Sequence, residues 1–225
     1  MFKYLLLAAA ALTPFALAPT ANATVIQPTL EMQLTSGAAT SGVLVDGTHS
    51  GMLFFNGGLG VFSINVTTGT GIGASNPGAK QQIDLNSVNV TSTAAGTLTI
   101  MLTETNLTGF AGLAQFASVI GGTLGGSGSV LSFNTYIDAG NAPFATTSQV
   151  GAQTFTTSGA FTGSLTGTGT ASSLFSETIV ATLSAGAGTT TSYDAFLTPV
   201  PEPTSMALLG AGLVSLGALR RRWRG

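Results

Sequence analysis

The residues of this 225-residue chain with the strongest claim to chemistry are one histidine and a few scattered acids. His49 stands in Thr48-His49-Ser50, three residues after Asp46. Serine, histidine and aspartate are the side chains of a hydrolytic triad, but a triad is made by geometry across a fold, and no Gly-x-Ser-x-Gly elbow accompanies them. The spacing reads instead as a histidine satisfied beside a turn. Between Thr24 and Val200 the acids are Glu31, Asp46, Asp84, Glu104, Asp138, Glu177 and Asp194. Two of them at a defined separation in a cleft would serve a secreted glycoside hydrolase or lyase, and their order along the chain nominates no pair. Asp138-Ala139-Gly140-Asn141 and Asp84-Leu85-Asn86 offer oxygens to calcium. Neither has the spacing of a calcium loop, so both read as strand ends where Asp and Asn bond their own backbone.

Glycine and threonine raise two more readings. Gly69-Thr70-Gly71-Ile72-Gly73 and the cluster from Gly121 to Gly128 lack the Lys-Ser/Thr of a phosphate loop and read as turns. Thr166, Thr168 and Thr170 alternate with glycine, and Thr97 with Thr99 and Thr103 with Thr105 repeat the same step. On a strand such residues share one face, a hydroxyl array suited to a carbohydrate- or ice-binding module, although threonine also favours any solvent-facing strand. Sequons stand at Asn65, Asn89 and Asn106.

The whole chain is 44% hydrophobic and 6% charged, with mean hydropathy +0.47, which excludes disorder over most of its length. Absence of cysteine excludes disulfides and thiolate metal sites, and no cofactor is expected. The net charge of -2 conceals a division: Lys3 lies at one end, Arg220, Arg221, Arg222 and Arg224 at the other, and only Lys80 between. Seven acids against one lysine leave residues 24–200 at -6, with no basic patch for nucleic acid.

Both ends read as addresses. The opening MFKYLLLAAAALTPFALAPTANA has an early cation, an apolar core and a small-x-small site at Ala21-Asn22-Ala23, the pattern of a secretory signal peptide handled by the Sec machinery and signal peptidase. The closing stretch has three parts. Val200-Pro201-Glu202-Pro203 is stiff and polar. Residues 204–219, with Leu208, Leu209, Leu213 and Leu216, form an uncharged helix-like run of roughly 24 Å, short for a ~30 Å hydrocarbon core but long enough if the flanking arginines snorkel. Arg220, Arg221, Arg222 and Arg224 then place the C-terminus in the cytoplasm.

This tail resembles the PEP-CTERM sorting signal of Gram-negative bacteria. The resemblance implies recognition by an exosortase, processing at or near Pro201-Glu202-Pro203 and passage from the inner membrane to the cell surface or extracellular matrix. Proteins with such tails are associated with exopolysaccharide and biofilm. The tail also goes by the name of an ice-binding protein C-terminal domain, which describes the tail and not an activity.

The intervening body holds 51 Ser and Thr and 27 Gly, a composition that favours strands and turns over helices. Phe62, Ile64 and Val66 alternate with polar residues, as do Leu98, Ile100 and Leu102. Further strands are expected within 25–34, 43–45, 52–55, 83–90, 131–137, 177–183 and 193–197, with turns at Asp46-Gly47 and Asn56-Gly57. Residues 110–120 read as a short helix, 121–129 and 159–173 as flexible segments, and a linker begins near Thr198. The body also resembles a domain recurrent among PEP-CTERM proteins, through Gly60 to Val66, Ile83 to Ser87, Gly96 to Ile100, Ile120 to Thr123 and Ser192 to Phe196, and that resemblance implies fold and location only.

The expectation is therefore an all-β chain: signal peptide 1–23, an antiparallel β-sandwich of jelly-roll-like topology over 24–198, and a sorting signal over 199–225. Its expected role is that of an exported, non-enzymatic matrix or surface protein with extracellular polysaccharide as a partner and no nucleic acid.

Overall fold

The computed structural model describes residues 26–69, 81–108, 111–200 and 211–213. Twelve strands follow in order: β1 (Thr29–Ser36), β2 (Ala39–Val45), β3 (Phe54–Leu59), β4 (Phe62–Gly69), β5 (Ile83–Ser92) and β6 (Gly96–Leu107). They continue with β7 (Gly112–Leu124), β8 (Val130–Asp138), β9 (Ser148–Phe155), β10 (Gly159–Ala171), β11 (Phe175–Ala185) and β12 (Thr190–Val200). Alternation of apolar with polar residues explains most of them. In β1, Leu30, Met32 and Leu34 are buried while Glu31 and Gln33 are partly exposed.

Two six-stranded antiparallel sheets result. The first runs β2-β1-β6-β11-β8-β9 and the second β10-β7-β12-β5-β4-β3. From β5 onward the chain crosses repeatedly between them, so β5-β12-β7-β10 lies against β6-β11-β8-β9, the order of a jelly roll. The hairpins β1-β2 and β3-β4 widen each sheet by two strands. Inward residues of both sheets form one core, joined across the sheets by the edge-to-face contact of Phe116 on β7 with Phe175 at the start of β11, 6.4 Å between centroids.

Five expectations are corrected. Residues 112–120 are strand, not helix: Phe116, Ser118 and Ile120 are buried with the period of two that a central strand requires. Strand β7 continues through Gly121 and Gly122 to Leu124, so the flexible reading of 121–129 narrows to the turn after it. Residues 159–171 are likewise strand β10, and its glycines serve close approach. A Cβ on Gly167 would stand 1.9 Å from the carbonyl oxygen of Val150, the extra residue of a bulge on β9. Together with the Phe155–Phe161 contact at 4.4 Å, this seam draws the edge of one sheet against the edge of the other.

The other two corrections concern strand ends. Asn56-Gly57 lies inside β3, and the chain reverses at Gly60, whose φ of +59° suits glycine. Strand β12 extends past Thr198 to Val200, paired to Gln115, so no linker begins at 198. Pro199 is tolerated there because pairing with β5 has already ended at Leu197.

Candidate functional site

His49 does not face Asp46. Its Nδ1 donates to the carbonyl of Pro28 at 2.8 Å, and its φ is +53°. The Asp46 carboxylate accepts instead from Thr48 N and Oγ1, Ser50 Oγ and Gly51 N, at 3.2, 2.8, 3.2 and 2.6 Å. Burial alone would raise its pKa; these hydrogen bonds outweigh burial and hold it at about 2. The expected turn at Asp46-Gly47 is present, with Asp46 as its organiser. A depressed folded-state pKa contributes stability that is present above the ordinary value of 3.8 and is lost as the pH falls through about 2. Asp46→Ala should therefore cost about 1–3 kcal/mol in urea denaturation at pH 7, and the difference from wild type should shrink below pH 3.

Asp138 and Asn141 are similarly occupied in closing a loop. Asp138 accepts from Ala142 N and Thr147 Oγ1, and burial, which opposes this, is outweighed so that its pKa is lowered. Asn141 exchanges hydrogen bonds with Asn106, at 2.7 Å to its backbone and 2.8 Å between side chains. The amide of Asn106 also donates to Gln27 O at 3.2 Å, which ties up the acceptor nitrogen of that sequon. Among the described residues no three or more of His, Asp and Glu gather as a metal-binding group.

The threonine ladders divide. Thr103 and Thr105 are buried, and Thr103 Oγ1 bonds Thr178 Oγ1 and Glu177 O, both at 3.0 Å, correcting the reading of that pair as a presented face. Thr99 pairs with Thr182 at 3.2 Å within the first sheet. Thr166, Thr168 and Thr170 are exposed and, with Thr162 and Ser164, line β10. Their partners on β7 are Ala117, Gln115 and Leu113, so the hydroxyl row is one strand wide.

Polar groups converge instead on the outer face of the second sheet. There Ser87 is an extra residue in β5: β5 takes three steps from Leu85 to Val88 where β12 takes two from Ala195 to Tyr193, and β4 skips the same residue. Its φ of +54° is unusual for a non-glycine residue. Its backbone N–H donates to the Asp194 carboxylate. Beside this bulge β7 contributes Gly121, where an added Cβ would meet nothing nearer than 3.7 Å, to an open depression of about 210 Å³ lined by Ser87, Asn89, Gly121, Gly122, Ser192 and Asp194 among others. Asp84 lies one inter-strand step away, half-buried, its pKa pushed up to about 6 by burial and then by the charge of Asp194, against a hydrogen bond from Gln82. Sequence offered one signal of this place: the inward parity of Ile83 and Leu85 shifts by one at Val88 and Val90.

A second acid pair is hidden. Glu104 on β6 and Glu177 on β11 are direct cross-strand neighbours, 1% and 0% exposed. Glu104 Oε2 and both carboxylate oxygens of Glu177 have no hydrogen-bond partner. Burial, with the charge of Asp46, pushes Glu104 up to about 8; burial, with Glu104 beside it, raises Glu177 well above the usual carboxylate range.

Of the sorting residues, Val200 ends β12 and Leu213 lies in the helical turn 211–213. Pro201, Glu202, Pro203, Leu208, Leu209, Leu216 and the four arginines lie outside the described residues, as do Ala21, Ala23 and most of the expected span 204–219. No helix among the described residues is long and apolar enough to cross a membrane.

Residues 199–222 match the PEP-CTERM protein-sorting motif. No curated protein matches the sequence. Among solved structures, the chain is similar to TmCBM61 in complex with β-1,4-galactotriose, at 13% identity and TM-score 0.35, over 62% of this chain and 88% of that one. It is also similar to the enzymatically active domain of tailspike protein 4 of bacteriophage CBA120, at 10% identity and TM-score 0.33, over 62% of this chain and 19% of that one. Neither likeness bears on function.

Proposed function

From the PEP-CTERM protein-sorting motif that the chain carries over residues 199–222, we propose an exported protein that an exosortase releases from the inner membrane to the cell surface or extracellular matrix. Residues 1–23 direct export through the Sec machinery and are cut after Ala23 by signal peptidase. Residues 204–219 hold the chain in the membrane until processing near Pro201-Glu202-Pro203, and the arginine tail stays in the cytoplasm. The body serves without catalysis, as a component of the exopolysaccharide layer or biofilm. Its side chains support that role: the histidine and two of the best-placed aspartates are engaged in loop closure rather than facing a cleft.

Intact-mass measurement of the protein from envelope and medium tests the reading. The expected product begins at Thr24 and lacks Arg220 to Arg224, and deletion of the exosortase restores the tail. A tail retained in every fraction of the normal strain refutes it.

One observation favours a hydrolase as a second reading: Asp84, with the carboxylate of Asp194 nearby, is pushed up to about 6 by burial and by that charge, as a general acid requires. Release of reducing ends from the producer's polysaccharide, abolished by Asp194→Asn, would establish it.

A further inference from the structure

We propose that the depression at the Ser87 bulge is a binding subsite for a neutral, hydroxyl-rich glycan chain lying across the outer face of the second sheet. Three features carry this. The first is a row of side chains running perpendicular to the strands: Asn56, Asn65, Asn89, Ser192 and Thr123 stand in successive register on β3, β4, β5, β12 and β7. Four of the five are exposed, and the row passes through the depression at Asn89 and Ser192. Amide and hydroxyl groups both give and accept hydrogen bonds, which matches a chain whose hydroxyls do the same.

The second feature is apolar surface beside the polar row. Phe196 on β12 lies between Asp84 on β5 and Val119 on β7, and Ala117 follows on the same face of β7. A pyranose has hydroxyl edges and C–H faces, so a strip of Phe196, Val119 and Ala117 next to amides and carboxylates offers a surface for each. At about 210 Å³ the depression is smaller than an enclosed drug-sized pocket and is open, so it suits one unit of a chain that continues over the sheet.

The third feature is charge. Asp194 and Asp84 accept hydroxyl donors but repel uronates and sulfates, and residues 24–200 carry only Lys80 as a cation. A neutral glycan is thus selected over a polyanion. The inference rests on the reading of a protein that works outside the cell, but binding by purified protein is measured independently of sorting.

The experiment is affinity electrophoresis of the full chain, purified in mild detergent, through native gels containing β-glucan, galactan or alginate. The wild-type protein should be retarded by a neutral polysaccharide and unaffected by alginate. Gly121→Leu should fill the depression and weaken retardation by about tenfold or more. Since Gly121 is a sheet residue and a leucine there can disturb folding, the double variant Asn65→Ala/Asn89→Ala is run beside it. Both of its positions are exposed, and it should weaken retardation to a similar degree at unchanged melting temperature. Free migration of wild type in both neutral gels, equal retardation of wild type and the double variant, or preference for alginate would each overturn the proposal. A correctly sorted protein that ignores glycans leaves the sorting reading intact; a glycan binder whose tail is never trimmed does the reverse.

Discussion

Raising the pH from 5 to 8 should weaken the sandwich by at least about 3–4 kcal/mol, with urea denaturation midpoints falling steadily across the interval. The cause is the Glu104–Glu177 pair inside the core. A carboxyl group whose pKa is higher in the folded protein than in the unfolded chain keeps its proton on folding. Its contribution is therefore complete below the unfolded value near 4.5 and disappears as the pH climbs through the folded value, about 8 for Glu104. Each such proton changes stability by about 1.4 kcal/mol per pH unit in that window. Glu177, enclosed more completely and facing Glu104, adds to the slope in the same direction.

Glutamine substitution separates this account from others. Glu104→Gln and Glu177→Gln each keep the shape and lose the titration, so each variant should match wild type near pH 5 and exceed it at pH 8, Glu104→Gln by about 3 kcal/mol. The double variant should have a nearly flat profile. A wild-type profile already flat between pH 5 and 8 would mean that the two carboxylates share no buried neutral state. Asp46, at the same end of the sandwich, works in the opposite sense, because it loses its contribution on the acid side.

The second large effect lies at the seam between β9 and β10. Gly167→Val should cost about 3 kcal/mol or more, because its first added carbon falls 1.9 Å from the backbone oxygen of Val150 and backbone has no rotamer with which to yield. Gly121→Ala is the control. It lies on a neighbouring strand of the same sheet, its nearest neighbours to an added Cβ are at 3.7 and 3.8 Å, and it should change stability by less than about 1 kcal/mol. Thermal or urea unfolding of the two variants decides the matter; equal stability would mean that the β9–β10 seam opens without cost.

These effects also show which parts of the fold were legible in the chain. Strands such as β4 and β6, where Phe62, Ile64 and Val66 or Leu98, Ile100 and Leu102 keep strict alternation, declare themselves, because one face meets the core and the other meets water. Strand β10 was obscured because its inward positions include Gly163, Gly167 and Gly169, which fit against β9 and Ile137 by having no side chain. Glycine in that pattern looks like a hinge until the neighbouring strand is known. Strand β7 was obscured by Ala117, Val119 and Leu113 on its outer side, which gave apolar residues on both faces.

The site was less legible than the fold. Glu104 and Glu177 share inward parity with Leu102 and Ile179, so alternation extended by one step would have placed both inside, although it could not have made them neighbours. Cross-strand pairing of residues 73 apart is decided by the register of the whole sheet. The depression at Ser87 depends on three strands from distant parts of the sequence, and only the parity shift at Val88 marks it along the chain.

On the proposed sorting route, the course of β12 bears on how a membrane-held body would carry load. Val200, the last residue hydrogen-bonded into the sheet, is also the first residue of the Val-Pro-Glu-Pro stretch, and β12 is an interior strand held by β7 on one side and β5 on the other. On that reading, tension applied through a membrane-held tail would enter the body along the axis of this strand. The inter-strand hydrogen bonds lie across that axis and are strained together in shear, whereas a tail leaving from an edge strand would peel its bonds one after another. The C-terminal end of β12 is thus an end at which the sandwich would resist pulling, and removal of the residues beyond Val200 would leave its pairing in place.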